Sequence, residues 1–334
     1  IPRKNNNSYD VAHTTVSYLR KVVAQQKWSN SDDLISLLQA ENRALLKLLP
    51  NDFVVGNMVK RVLKLIRDET SNAPKDDSHV DSHDSLQKLW EAGQKKTAPV
   101  SNKQLKRTVI ETIGEFLTEL ETCRDNIFDQ ATDHIVNGDT VMTVGYSTTI
   151  EAFLKAAAKK HKFALYVVEC APFFKVDVNG QNLLAAFKNV PNVGATLIND
   201  TSIFASMAQV NKVILGAKAI FADGGLQAIS GSHTLCLAAR HFCVPVIVCT
   251  AFYKLTPLFT SEQDQETFNV IESPQSLVPI SDGSLAGKLE VYNPVFDYVS
   301  PDLITLFVTN VSSNVPSYIY RLQSELYHPD DTDI

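Results

Sequence analysis

The chain has 334 residues, 44% of them hydrophobic, enough to build real cores and, at roughly 150 residues per domain, to fill two domains. Its formal net charge of −6 excludes the strongly basic field that a nucleic-acid binder ordinarily carries. The longest apolar run, Val244 to Tyr253, is broken by Pro245 and Thr250 and falls short of the ~18 residues that a membrane helix needs.

Helical periodicity comes first along the chain. Val11 to Gln26 places Val16, Leu19, Val22 and Val23 on one stripe. Ser31 opens a second helix, with Asp32 and Asp33 at its positive end and Leu34, Leu37 and Leu38 facing inward. Val54 to Asp68 continues through Val59, Val62, Leu63 and Ile66. Periodicity then stops in a polar stretch, expected as a mobile loop near residues 69–104. It returns in Leu105 to Ile127, with Val109, Ile113, Phe116, Leu117 and Leu120 on the apolar face. The basic stretches Lys103–Arg107 and Lys155–Lys162 read as solvated helix faces.

From about Ile135 short apolar runs alternate with helical ones. The expected strands are Thr140–Val144, Ala164–Val168, Ala195–Ile198, Val213–Leu215 and Val244–Val248, with a later run at Leu303–Thr309. The helical stretches are Thr149–Lys160, Gln181–Phe187, Ser202–Gln209, His233–His241 and Ser317–Leu326. Strands apolar on both sides and joined by helices predict a parallel sheet covered on both faces. The fold class is therefore α/β: an α-helical domain over residues 1–134, then a doubly wound, mostly parallel Rossmann-like domain over 135–334.

In such a sheet ligands bind at the carboxyl ends of the strands. Three loops qualify. Gly145-Tyr146-Ser147-Thr148-Thr149 and Gly231-Ser232-His233-Thr234 are Gly/Ser-rich helix starts, open to two readings, ordinary N-caps or anion sites. Ala222-Asp223-Gly224-Gly225 is a turn carrying a carboxylate. A helix end contributes only about 0.3–1 kcal/mol toward an anion, against about 8 kcal/mol for micromolar binding, so basic side chains must converge on the loops. Lys175 and Lys218 are the basic residues that the sequence places near them. There is no G-x-G-x-x-G after the first strand of the α/β part and no P-loop, and no cofactor is expected. His79 and His83 could be drawn as a metal pair among Asp76, Asp77, Asp81 and Asp84, but the polar surroundings favour a solvated loop, and no metal is expected.

The five cysteines, Cys123, Cys170, Cys236, Cys243 and Cys249, contain no Cys-x-x-Cys pair, and their odd number argues against a disulfide framework. With no secretory signal in view, the expectation is reduced thiols in the cytosol. Cys170 follows a strand as a nucleophile does, though a buried structural thiol is the simpler reading. Cys236 and Cys243, at helical spacing around Leu237, which is expected to face the core, are themselves expected in or near it.

A resemblance rests on Val213 to Ile220, Ala222-Asp223-Gly224, Gly231 to Leu235, and Asn293-Pro294-Val295-Phe296-Asp297-Tyr298-Val299 followed by Pro301. These segments resemble the family that unites aldose–ketose sugar-phosphate isomerases with the alpha, beta and delta subunits of initiation factor 2B. Gly145 to Leu154, Val168 to Phe173 and the stretch from Pro316 through Pro329 look like its beta-type branch. The isomerases use a cysteine just after the strand ending here at Val144 and an aspartate in the segment matching Gly216-Ala217-Lys218. Here the loop lacks the cysteine and Lys218 holds the acid's position, so no positioned acid–base pair remains. Gly145, Ser147, Thr148, Lys218 and Asp223 are then expected as a vestigial ligand pocket, and Asp297 as a turn or capping carboxylate.

The resemblance implies a non-catalytic, cytosolic regulatory subunit of the guanine-nucleotide exchange complex for initiation factor 2. The implied partners are the alpha and delta subunits, the gamma and epsilon subunits that carry exchange, and the alpha subunit of initiation factor 2, phosphorylated or not. Neither nucleic acid nor membrane is an expected partner. Phe173, Phe174, Phe252 and Tyr253 are the expected anchors toward a homologous subunit, with packing under their own loops as the other reading. Thr108, Glu111 and Glu115, on one face of the long helix, are the expected contact with initiation factor 2. Two rivals stay open: a divergent isomerase using Cys170 with Asp223, and a module that senses a sugar phosphate or nucleotide.

Overall fold

Apolar stripes at helical spacing fold as expected. α1 is Ser8–Gln25, α2 Ser31–Leu48, α3 Phe53–Asn72 and α4 Asn102–Asp129. The computed structural model describes residues 7–49, 52–72, 102–170, 179–260, 268–278, 281, 283 and 288–332. α1 packs against α3 and α4, and α2 against α3. Their facing stripes (Val16 and Leu19, Leu34 and Leu38, Val59 and Leu63, Ile113 and Leu120) are buried completely. α3 reaches Asn72 and α4 starts at Asn102, so the expected loop is helical at both ends. His79, His83 and the acids around them lie outside the described residues.

Among the described residues the strands are β1 Thr140–Val144, β2 Phe163–Val168, β3 Val193–Ile198, β4 Lys212–Gly216, β5 Ala219–Ile220, β6 Leu226–Ile229, β7 Val246–Cys249, β8 Phe296–Val299, β9 Leu306–Val308 and β10 Ser313–Asn314. Seven form one sheet in the order β10-β9-β7-β4-β1-β2-β3, parallel except for the antiparallel β10 edge. Met142 fixes the central register, opposite Tyr166 on one side and Val213 on the other. The connecting helices are α5 Ala131–His134, α6 Thr148–Ala158, α7 Gly180–Phe187, α8 Ile203–Met207 and α9 Ser232–His241, and α10 Ile319–Leu326 follows the sheet. Strand order reverses between β1 and β4, so right-handed crossovers carry helices to opposite faces on either side of that point.

β5, β6 and β8 form a separate antiparallel sheet that strand-by-strand reading of the sequence does not anticipate. The two sheets and the helical layer share one contiguous core. The joint between layers is a 3-10 turn, Phe252–Lys254, directly after β7. Phe252 and Tyr253 are 3% and 2% exposed, and the Phe252 ring sits 5.6 Å from Phe116 of α4. Their aromatic surface is spent inside the chain, so they present no face to a neighbour. Phe173 and Phe174 lie outside the described residues.

Two further expectations are corrected. α9 buries Leu235, Cys236, Ala238 and Ala239, which leaves Leu237 on the opposite face and 51% exposed. Cys243 is exposed as well. It occupies a left-handed position (φ 56) just past α9, where its amide bonds Arg240 O at 3.2 Å and the next amide bonds Ala239 O at 2.8 Å. That closure turns the side chain outward.

Candidate functional site

The reversal of strand order opens a cleft of about 430 Å³ at the carboxyl ends of β1 and β4. Ser147 and Thr148 enter from the loop after β1, Gly216 and Lys218 from the end of β4, and Asn7 and Ser8 from the start of α1. The two loops touch. A Cβ on Gly216 would lie 2.9 Å from the Ser147 hydroxyl, so a larger residue would push the Ser147 side chain aside. Gly145 turns the chain out of β1 with φ 61. Ser147 precedes α6, yet its side chain makes no cap bond to the first turn. Thr148 Oγ1 instead accepts from Asn7 Nδ2 at 3.3 Å, tying the start of α1 to the start of α6.

Lys254, which sequence reasoning did not place here, also lines the cleft. It is 8% exposed, and its Nζ donates to Ala217 O at 2.8 Å. Burial, aided by the neighbouring positive charges of Lys218 and Arg124, lowers its pKa to about 8. Lys218 Nζ lies 3.4 Å from Asp52 Oδ2. The cleft thus gathers two amines, one of them compensated by a carboxylate, beside two helix N-termini, an arrangement suited to anions.

The sign of the Lys254 shift gives a measurable consequence. Its folded pKa, about 8, lies below the ordinary 10.5. Between those values the unfolded chain holds the extra proton, so stability rises with pH, by roughly 3 kcal/mol from this group. Denaturation midpoints of the parent and of Lys254→Met at pH 7.5 and pH 10 check it. The parent should gain relative to the variant as pH rises; parallel profiles would mean that the amine is solvated.

Of the expected pocket residues, Gly145, Ser147, Thr148 and Lys218 meet at or beside this cleft, and Asp223 does not line it. Asp223 Oδ1 accepts from Gly225 N at 2.8 Å, and Oδ2 accepts from the Tyr298 hydroxyl at 2.5 Å. It holds a turn. Asp297 caps, as expected: its Oδ2 accepts from the amides of Gly231 and His233 at 2.7 and 3.2 Å. That carboxylate fills the start of α9 and settles the Gly231 loop as a cap. Cys170 is buried under Ser230 O at 3.4 Å; burial first, then the Asp200 and Asp297 charges, push its thiol up to about 12. A thiol so buried stays protonated at neutral pH, and neither Cys170 nor Asp223 lines the cleft. On α4, Glu111 and Glu115 are exposed and Thr108 half-buried; Glu111 pairs with Arg107 at 2.8 Å. Among the described residues no three His, Cys, Asp or Glu side chains come together as a metal cage, and no helix is long and apolar enough to cross a membrane.

The profile of the Initiation factor 2 subunit family matches residues 4–316. The chain belongs to that family. It is 35% identical to translation initiation factor eIF2B subunit beta of Dictyostelium discoideum, over 97% of this chain and 92% of that one. Among solved structures it is similar to eIF2B beta from Chaetomium thermophilum, with a TM-score of 0.75 and 28% identity over 98% of this chain and 90% of the other. It is likewise similar to a chain of the tetrameric eIF2B-beta2-delta2 complex from C. thermophilum, with a TM-score of 0.72 and 28% identity over 97% and 91%. The resemblance to the beta-type branch is borne out for the chain as a whole, as is a helical region followed by a mostly parallel sheet.

Proposed function

We propose that the chain is a non-catalytic regulatory subunit of the guanine-nucleotide exchange complex for initiation factor 2, working in the cytosol. In this reading it binds the alpha subunit of that factor and helps to distinguish its phosphorylated form, using binding energy rather than chemistry. The observation that carries the reading is likeness to eIF2B subunit beta over nearly the whole chain. The cleft supports it. Lys218 stands where the isomerases hold an acid, and the chain's other candidate pair, Cys170 and Asp223, is engaged elsewhere.

The partners are the alpha, delta, gamma and epsilon subunits together with initiation factor 2. Phe259, Ile271, Leu277, Leu289 and Tyr292 are each at least 46% exposed within one stretch of the sheet region. Exposed apolar side chains at these positions support a surface that buries against a homologous subunit, the role first given to Phe173, Phe174, Phe252 and Tyr253. Recovery of the tagged chain from cytosol, with mass spectrometry of what elutes, tests the assignment. Four partners including a delta-type homologue and a nucleotidyltransferase-like pair support it; a lone homodimer refutes it.

The outward face of α4 is assigned to initiation factor 2. Reversing Glu111 and Glu115 to lysine in the assembled complex should weaken its binding about tenfold, some 1.4 kcal/mol, with assembly intact. Unchanged affinity, read by surface plasmon resonance, would remove Thr108, Glu111 and Glu115 from the contact.

A further inference from the structure

The turn that carries Lys254 is gripped from two directions. From the helical layer, Asn57 Nδ2 of α3 donates to Tyr253 O at 3.1 Å. From α10 and the residue that follows it, Gln323 Nε2 donates to Thr256 O at 2.8 Å and the Tyr327 hydroxyl to Leu255 O at 2.6 Å. Lys254 thus lies between three backbone carbonyls held by side chains from outside the sheet.

The segment that supplies Gln323 and Tyr327 is itself seated on α3. Lys64 Nζ donates to Ser324 O at 3.4 Å, and Arg61 Nη1 to Glu325 O and Leu326 O at 3.4 and 3.3 Å. These are last-turn carbonyls of α10, which have no partner within their own helix. Beyond them Lys60 Nζ donates to Thr332 O at 2.7 Å. Arg67 grips Asp331 with Nε and Nη2, both at 2.9 Å. One row of cations on α3, at i, i+1, i+4 and i+7, therefore holds residues 324–332 through polar contacts, while Ile319, Leu322 and Tyr327 bury their side chains beside the core. Past Tyr327 the contacts are polar, and such contacts open more readily than the apolar anchors, because water replaces each partner as the end lifts.

We propose that residues 319–332 form a latch whose seating on α3 sets the position of Lys254 in the cleft. The path is short: the α3 cations hold Asp331 and the end of α10, Tyr327 and Gln323 hold Leu255 and Thr256, and these fix the turn that places the Lys254 amine against Ala217 O. A ligand or partner that lifts the latch alters the cleft, and an anion held by Lys254 tightens the latch.

The test labels the full chain with an amine-acylating ester and follows each lysine by mass spectrometry. Tyr327→Phe deletes only the hydroxyl that holds Leu255 O. Asp331→Asn loosens the far end of the latch without changing its shape. Lys212, whose Nζ donates to His134 O at 2.8 Å at the opposite end of β4, is the internal control for general loosening. Both variants should acylate Lys254 roughly threefold faster or more, relative to Lys212, while unfolding stays cooperative. The proposal is overturned if Lys254 keeps its parental rate in either variant, or if Lys212 accelerates equally.

Discussion

Replacing Phe252 by alanine is expected to cost about 3–5 kcal/mol of folding stability, because the ring is deeply buried and the cavity it leaves cannot collapse. Phe252 packs on Phe116 of the helical layer and on Tyr253 at 6.0 Å. Its amide donates to Asn310 Oδ1 at 3.2 Å, which pins the turn to the chain beyond β9. A backbone tied on one side and a helix packed on the other leave little freedom to fill the gap. The loss should fall first on the joint between layers, so hydrogen exchange should accelerate in α3 and α4 before it does in β1 and β4. Phe259, 65% exposed, is the contrast: the same substitution there should change the stability of the isolated chain by no more than about 0.5 kcal/mol. Urea denaturation of both variants separates a joint residue from a surface one, and equal losses would contradict the burial assigned to them.

The parallel strands were legible because burial on both faces leaves nearly unbroken apolar runs such as Val213-Ile214-Leu215, all at most 1% exposed. The small antiparallel sheet was not. β6 pairs with β8 across about 70 residues, and Asp297 and Tyr298 carry the marks of a turn while serving as strand, cap and hydrogen-bond donor at once. Pairing at such range is set by tertiary contacts that local pattern does not encode. The cleft was half legible. Ser147, Thr148 and Lys218 announce themselves by lying at strand ends, whereas Lys254 sits five residues past β7 and reads as an ordinary surface lysine. Only the sheet order, with β7 beside β4, brings it to the switch point. Tyr253 and Phe252 misled for a related reason: aromatics in a loop after a strand are equally apt for an interface or for an internal joint, and the helical layer that covers them, through Phe116 and Asn57, comes far earlier in the chain.

The ion pair at the end of the chain should behave as a coupled unit with unequal halves. Asp331 is completely buried, while the Arg67 side chain retains a quarter of its exposure. Arg67→Ala strips a buried carboxylate of its two-pronged partner and leaves it, among the described side chains, the Gln39 Nε2 donor at 3.4 Å, and should cost about 4–5 kcal/mol. Asp331→Ala leaves a guanidinium that water still reaches and that keeps Asp330 at 3.9 Å, so the loss should stay nearer 3 kcal/mol. The double variant removes both charges together. Its loss should fall below the sum of the single losses by about 2–3 kcal/mol, the interaction expected of a two-pronged contact in a buried setting. Denaturant titration of all four proteins at neutral pH closes the cycle. Strict additivity would mean that each residue acts through its own packing rather than through the pair; non-additivity with Arg67→Ala the worse single change would identify the buried carboxylate as the group that holds the carboxyl-terminal segment on α3.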